Sequence, residues 1–187
     1  MAKISRRSFL KSAGVAAAVI VSPGCERSSQ QITTQRLPYS FFNADEAGFI
    51  EGAVARLIPA DETGPGALEA DVPVYIDRQL AGAWGAGADL YRSGPWQTRK
   101  PGQGYQLPFT PAELFRNPLR AITEDLRKSE GGSFGKLKPE DQDAYLTALE
   151  SESRDLGGVP SNIFFESLLE MTIEGFFSDP VYGGNKD

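Results

Sequence analysis

The sequence predicts an all-α fold, a small irregular helical domain with long Gly- and Pro-rich loops. Three observations indicate this class. Apolar residues recur every three or four positions in several segments, residues that suit helix N-caps precede those segments, and no segment of useful length alternates apolar and polar residues as a strand would. We expect one such domain over residues 41–187, after a leader over residues 1–24 and a flexible polar arm over residues 25–40.

The first helix is predicted to follow Asn43, whose side chain suits an N-cap. Glu46 stands three residues later and completes a capping box. Pro59 is expected to end this helix. The positions that carry its helical periodicity are apolar: Phe49, Ile50, Val54, Leu57 and Ile58.

A second helix is expected after Asp71 as its cap, with Pro73 in its first turn. Its apolar face is formed by Val72, Ile76 and Leu80. Residues 81–109 then hold six glycines and three prolines among Trp and Tyr residues. In a compact domain, a loop this long is usually functional or partly disordered.

Two further helices are predicted before the last one. Thr110 and Glu113 form a second capping box, and Pro118 is expected to break or kink the helix that they open, before Leu119. Pro139 begins the next helix after a Gly-rich turn.

The last predicted helix, from about Asn162 to Phe177, is unusually apolar. Nine of residues 163–177 are large and apolar, and the polar side is a narrow stripe of glutamates. A helix of this composition is buried nearly all round, so we expect it either at the centre of the core or beneath a partner. The stripe consists of Glu166, Glu170 and Glu174.

The N-terminus has the three parts of an export leader. Arg6, Arg7, Phe9 and Leu10 spell the twin-arginine motif within a positively charged segment, and a short apolar stretch over residues 13–21 follows. That stretch is less than half of the ~20 residues that a membrane-spanning helix needs, and no other segment comes close. Cys25 is a candidate for lipidation, the alternative being ordinary signal-peptidase cleavage nearby.

Composition excludes many kinds of chemistry. The chain has no histidine and one cysteine, which excludes Ser-His-Asp triads, His metal sites, covalent haem attachment and iron–sulfur clusters within this chain. It has neither a dinucleotide-binding nor a P-loop motif. The formal net charge of −6 includes four leader cations, so the rest of the chain carries −10, which argues against nucleic-acid binding.

Three clusters are the remaining candidates for function. The acidic residues around a Gly-Pro-Gly turn could form a cation site or the carboxylate pair of a glycosidase. The preferred interpretation is that they cap helices or remain solvated. The glutamate stripe suits a metal ligand set or, preferably, a solvated face. The loop aromatics suit a sugar platform or, preferably, a protein interface. The acids are Asp61, Glu62, Glu69 and Asp71, and the aromatics are Trp84, Tyr91, Trp96 and Tyr105.

Four blocks resemble the gluconate 2-dehydrogenase subunit 3 family. They are LIPADETGPGALEADVPVYIDRQLAG at 57–82, GPW at 94–96, TPAELF at 110–115 and EGFFSDPVYGGNKD at 174–187, and the resemblance covers residues 41–187. Relatives usually continue past YGGN with a Trp- and Gly-containing tail, whereas this chain stops at Asp187. We therefore expect a truncation or a variant C-terminal contact.

The resemblance implies a small subunit without catalytic residues, metal or cofactor of its own. The implied partners are a large dehydrogenase subunit that binds FAD and a multihaem cytochrome c subunit. The leader adds the twin-arginine translocase, which would export this chain together with the flavin subunit. The resemblance implies a periplasmic location at the inner membrane, through a tether or through the complex. The alternatives are a carboxylate-dependent glycosidase and a lipoprotein scaffold. The expected interface residues are Trp84, Tyr91, Trp96, Tyr105, Phe164, Phe165, Phe176, Phe177 and Tyr182.

Overall fold

A computed structural model describes residues 39–97, 100, 103–128 and 132–185. Within these ranges there is no β-strand, and the predicted all-α class is confirmed. The predictions for Arg6, Arg7, Phe9, Leu10 and Cys25 lie outside the described residues. The helices are α1 (Ala44–Leu57), α2 (Val72–Ala81), α3 (Pro111–Lys128), α4 (Pro139–Ser151) and α5 (Ser161–Phe177), with 3-10 turns at Phe134–Lys136 and Pro180–Tyr182.

Helix α1 begins with the predicted capping box. The Asn43 side chain accepts hydrogen bonds from the Asp45 and Glu46 backbone N–H groups, each at 3.0 Å, and the Glu46 carboxylate accepts one from the Asn43 N–H at 3.0 Å. These bonds satisfy N–H groups that have no partner inside the helix. The helix ends at Leu57, just before Pro59, as expected.

The prediction that Asp71 caps α2 is wrong in its mechanism. Asp71 does precede the helix, but its backbone is left-handed, with φ 55°, and its side chain makes no capping hydrogen bond. A capping residue normally has an extended backbone, which aims its side chain at the first N–H groups of the helix. Pro73 lies in the first turn as expected, and the predicted face of Val72, Ile76 and Leu80 is buried.

Of the break or kink predicted at Pro118, the break is wrong. Helix α3 continues through this residue for 18 residues in all. A proline inside a helix removes one backbone hydrogen bond, so other interactions must offset that loss. Pro118 is itself buried within the apolar face that packs into the core, between Leu114 and Ile122. This packing holds the helix together on both sides of the proline.

Helix α5 is the central element of the core. It packs against each of the other four helices, and the Phe164 ring at its centre lies 5.5 Å from the Phe115 ring and 6.3 Å from the Phe49 ring. Within this chain its burial is nevertheless one-sided, so the other helices account for only part of the expected burial. Ile173 is 45% exposed and Phe177 is 75% exposed, because both lie on the face that points away from the other helices.

The segment before α1 is fastened to α2 by a buried carboxylate. Asp77 is only 3% exposed and accepts hydrogen bonds from the backbone N–H groups of Ser40, Phe41 and Phe42, at 2.8, 2.8 and 3.0 Å. The Arg116 guanidinium donates to the Phe41 carbonyl at 2.6 Å and lies 3.9 Å from the centre of the Phe41 ring. The start of the domain is therefore held by α2 and α3 together.

None of the helices in the described ranges combines the length and the hydrophobicity that crossing a lipid bilayer requires.

Candidate functional site

The connection between α2 and α3, residues 82–110, is named here the aromatic loop. Its first turn is anchored by Gly85, whose N–H donates to the Gln79 carbonyl at 3.1 Å and whose carbonyl accepts from the Ala112 N–H at 3.0 Å. A Cβ atom at Gly85 would lie 2.0 Å from the Leu80 carbonyl oxygen, so only glycine fits. This close approach ties both ends of the loop together.

The loop presents aromatic side chains at the surface. Tyr91 is 83% exposed, and Trp84 and Trp96 are 40% and 37% exposed. Tyr105 is half-buried, its hydroxyl donates to the Phe109 carbonyl at 3.0 Å, and burial raises the pKa of its phenol. Rings displayed in this way carry much of the contact energy in protein interfaces.

A groove of about 190 Å³ separates the aromatic loop from α5. It brings together two features that the sequence shows far apart, since rings of the loop face carboxylates of the glutamate stripe. The residues that define its chemistry are Trp84, Leu90, Tyr105, Ile163, Glu166 and Glu170. Sequence reasoning described the stripe only as a solvated face or a metal ligand set, because nothing in the pattern shows that the loop folds over it.

The residues after α5 return onto the helix. Together with the end of α5 they form a second apolar patch. A Cβ atom on Gly184 would lie 2.0 Å from the Gly175 carbonyl oxygen, and one on Gly175 would lie 2.8 Å from the Tyr75 ring. The backbone of Gly184 therefore packs against the backbone of Gly175 on α5. The patch consists of Ile173, Phe177, Val181 and Tyr182, which are all exposed.

The predicted interface residues divide into three groups. Phe164 and Phe165 are buried in the chain's own core, so their prediction as interface residues is wrong: the face of α5 that carries them packs against the other helices. Tyr105 and Phe176 are partly buried against the core. Trp84, Tyr91, Trp96, Phe177 and Tyr182 are exposed, and their role in an interface stays a prediction.

Three exposed apolar residues were missed, namely Leu90, Ile173 and Val181. One of them carried a usable signal. Ile173 follows Glu166 by seven residues and precedes Phe177 by four, so helical spacing places it beside the glutamate stripe and away from the core. The other two lie in a loop and a turn, where sequence periodicity gives no information about exposure.

The acidic turn between α1 and α2 uses its carboxylates locally. Asp61 accepts hydrogen bonds from the Thr63 hydroxyl at 2.5 Å and the Thr63 N–H at 2.7 Å, and these bonds hold its pKa below the ordinary value. Glu69 accepts from the Gly66 N–H at 3.1 Å. A glycosidase needs a general acid whose pKa is raised, so this geometry does not favour that chemistry.

Charges elsewhere on the domain are also paired locally. A cleft of about 480 Å³ between α1 and α3 is lined by three arginines, but Arg116 pairs with Glu46 and Arg127 pairs with Asp45 across it. Each pair cancels a positive charge in the cleft. Among the described residues, no group of three or more Asp, Glu or Cys side chains is placed to hold a metal ion.

Comparisons with known protein families match this chain twice. Residues 44–187 match gluconate 2-dehydrogenase subunit 3, and residues 3–21 match a twin-arginine translocation pathway signal sequence, which indicates export out of the cytoplasm. Searches of curated proteins and of solved structures return no match. Both recognitions made from the sequence motifs are thereby confirmed. Because the first match spans well over half of its length, the chain belongs to the gluconate 2-dehydrogenase subunit 3 family.

Proposed function

We propose that this chain is the non-catalytic small subunit of an exported, FAD-dependent dehydrogenase complex of the gluconate 2-dehydrogenase type. In this proposal a separate large subunit binds FAD and oxidises a sugar, a sugar acid or a polyol. A multihaem cytochrome c subunit receives the electrons. The observation that carries the proposal is the presence of a twin-arginine signal and a subunit 3 domain in one polypeptide.

The chain's contribution is maturation and export of the flavoprotein. The twin-arginine route carries folded proteins, and flavin is inserted in the cytoplasm, so the flavin subunit must cross the membrane already folded. A flavin subunit without a leader can do so when it is bound to a chain that has one. The exposed rings of Trp84, Tyr91 and Trp96 support such binding, since Trp and Tyr are enriched in protein interfaces.

In this proposal the complex works in the periplasm, at the inner membrane. Two routes of attachment fit the sequence, namely a lipid tether at Cys25 and contact through the cytochrome subunit. Metabolic labelling with a fatty acid separates them. If the wild-type chain incorporates the fatty acid and Cys25→Ser does not, the lipid tether is supported. If the wild-type chain is never labelled, attachment through the cytochrome subunit is supported.

The export role is tested by replacing Arg6 and Arg7 with lysine in the native host. We expect the flavoprotein to stay in the cytoplasm together with this chain, as detected by flavin fluorescence and immunoblotting of cell fractions. The control replaces Arg27 and Arg36 in the arm with lysine, which makes the same chemical change outside the motif. If the flavoprotein reaches the periplasm equally in both variants, the escort role is wrong.

A further inference from the structure

One face of α5 stays at the surface along its whole length. Seven residues that recur with helical periodicity lie on this face, within about 120° of the helix circumference, since successive residues are about 100° apart. The opposite face holds Phe164, Leu168 and Met171 in the core. The surface face comprises Ile163, Glu166, Ser167, Glu170, Ile173, Glu174 and Phe177.

This face links the groove to the C-terminal patch. The groove lies over the first half of the face, at Ile163, Glu166 and Glu170, and the apolar patch begins at Ile173 and Phe177. From residue 163 to residue 177 a helix rises about 20 Å. We call this continuous surface, with the loop rings beside it, the docking strip.

The α5 face of the docking strip carries charge of one sign. Its three ionisable groups on α5 are the carboxylates of Glu166, Glu170 and Glu174, and the described residues lining the groove include no lysine or arginine. The Tyr75 hydroxyl donates to Glu174 at 3.3 Å. Glu170 makes no hydrogen bond or ion pair with any residue in the described part of the chain. A partner that covers this carboxylate must bring a cation to it, because a buried unpaired charge is costly.

We propose that the docking strip binds a segment of the flavoprotein subunit in which apolar side chains alternate with lysine or arginine. This rests on the function proposed above. The apolar side chains would occupy the spaces beside Trp84, Ile173 and Phe177, and a cation would pair with the Glu170 carboxylate between them. The Trp84 and Tyr105 rings at the groove also favour a guanidinium, through contact with their faces.

A protein segment fits the docking strip better than a sugar does. A monosaccharide would fill only the groove, leaving Ile173, Phe177, Val181 and Tyr182 exposed to water. The carboxylate and apolar side chains that are distributed along about 20 Å of this face instead match an extended or helical partner of similar length.

The test is capture of the flavoprotein by the tagged full-length chain, co-expressed in the native host, with Glu170→Lys and Trp84→Ala as variants. We expect each to weaken the complex about tenfold, as loss of a central contact does. Glu150→Lys on α4 is the matched control, because it reverses an exposed helical glutamate away from the strip and should bind as the wild type does. Circular dichroism checks that every variant is folded.

The outcomes separate the two proposals. If the wild-type chain captures no flavoprotein, both the proposed function and the docking strip are wrong. If the wild type captures it and folded Glu170→Lys binds equally well, the strip alone is wrong. Quenching of Trp84 fluorescence by gluconate, with capture unchanged in both variants, would identify a sugar subsite and also overturn the strip.

The chemistry of the segment is tested by a photo-crosslinking phenylalanine analogue at Ser167, inside the groove. We expect mass spectrometry to find it joined to a flavoprotein peptide that contains lysine or arginine next to apolar residues. The same analogue at Glu150 should give no such product. A crosslink to a second copy of this chain, or to an acidic peptide, would contradict the proposal.

Discussion

The Asp77 carboxylate shows how much of this domain depends on single residues. It lies on α2, yet it accepts hydrogen bonds from three consecutive N–H groups of the segment that precedes α1. Hydrogen bonds to an ionised acceptor are about twice as strong as neutral ones, and these also satisfy N–H groups that would otherwise be costly to bury. The start of the folded domain is thus tied to an element 35 residues further along the chain.

We expect Asp77→Asn to lower the free energy of unfolding by about 2 kcal/mol. The amide keeps one acceptor oxygen, but its NH2 group faces backbone N–H donors and cannot accept from them. Urea unfolding measures the change. Asp89→Asn is the control, since Asp89 is exposed and its left-handed backbone, with φ 63°, tolerates asparagine. Equal stability of the two variants would show that Asp77 does not hold the segment.

We expect Gly85→Ala to destabilise the domain by about 2 kcal/mol or more, since the added Cβ collides with backbone atoms of Leu80 that cannot move independently. The aromatic loop should also become more sensitive to limited proteolysis. Gly104→Ala lies in the same loop with no atom within 4 Å of the added Cβ, and it should be nearly neutral. Loop cleavage at the wild-type rate in Gly85→Ala would contradict the anchoring role.

At the scale of elements, local chemistry accounts for where the helices begin. Thr110 and Glu113 form the capping box of α3: the Glu113 carboxylate accepts from the Thr110 N–H at 2.8 Å and from its hydroxyl at 3.0 Å. The first of these bonds is the main reason that the pKa of Glu113 lies below its ordinary value of 4.5. The cap therefore stabilises the fold at neutral pH and weakens when Glu113 is protonated.

The cap makes stability depend on acid pH. Because the folded pKa of Glu113 is lowered, its contribution is present above pH 4.5 and disappears as the pH falls through the folded value. We expect Glu113→Gln to lower the melting temperature at pH 7 and to approach the wild type in acid. Thr110→Val should keep most of this pH dependence, since the N–H bond remains. A constant difference between Glu113→Gln and wild type from pH 7 to pH 3 would contradict the assignment.

At the scale of the whole molecule, neighbouring phenylalanines at the end of α5 have different roles. Phe176 packs against the core, whereas Phe177 is 75% exposed, and their rings lie 5.1 Å apart. From the sequence, both are expected at the partner interface. The structure separates the two roles, since only the Phe176 side chain packs against the core.

We expect Phe176→Asp to destabilise the domain by several kcal/mol, because it places a carboxylate among apolar side chains. Phe177→Asp should fold as the wild type does and weaken capture of the flavoprotein, since it adds a fourth negative charge to the docking strip and removes an apolar contact. Thermal unfolding and the capture assay measure the two effects. An unfolded Phe177→Asp variant would show that this ring belongs to the core.

Interactions between residues close in the chain were predictable from the sequence. The all-α class, the capping boxes at Asn43 and Thr110 and the approximate bounds of α5 follow from spacing and side-chain chemistry within a few turns. The family and the leader were also recognisable, because their motifs are contiguous. The capping role predicted for Asp71 was wrong because its left-handed backbone, not its residue type, decides where its carboxylate points.

Burial and proximity were decided only by the tertiary structure. A helix that is apolar around most of its circumference does not reveal which face the other helices cover, so Phe164 and Phe165 were mistaken for interface residues while Ile173 was overlooked. Pro118 is tolerated because packing across the helix offsets a lost hydrogen bond. The groove forms where the aromatic loop, whose two ends are joined at Gly85, lies beside α5. The sequence by itself determined the helices and the family, through local contacts; the candidate site depends on contacts between distant segments.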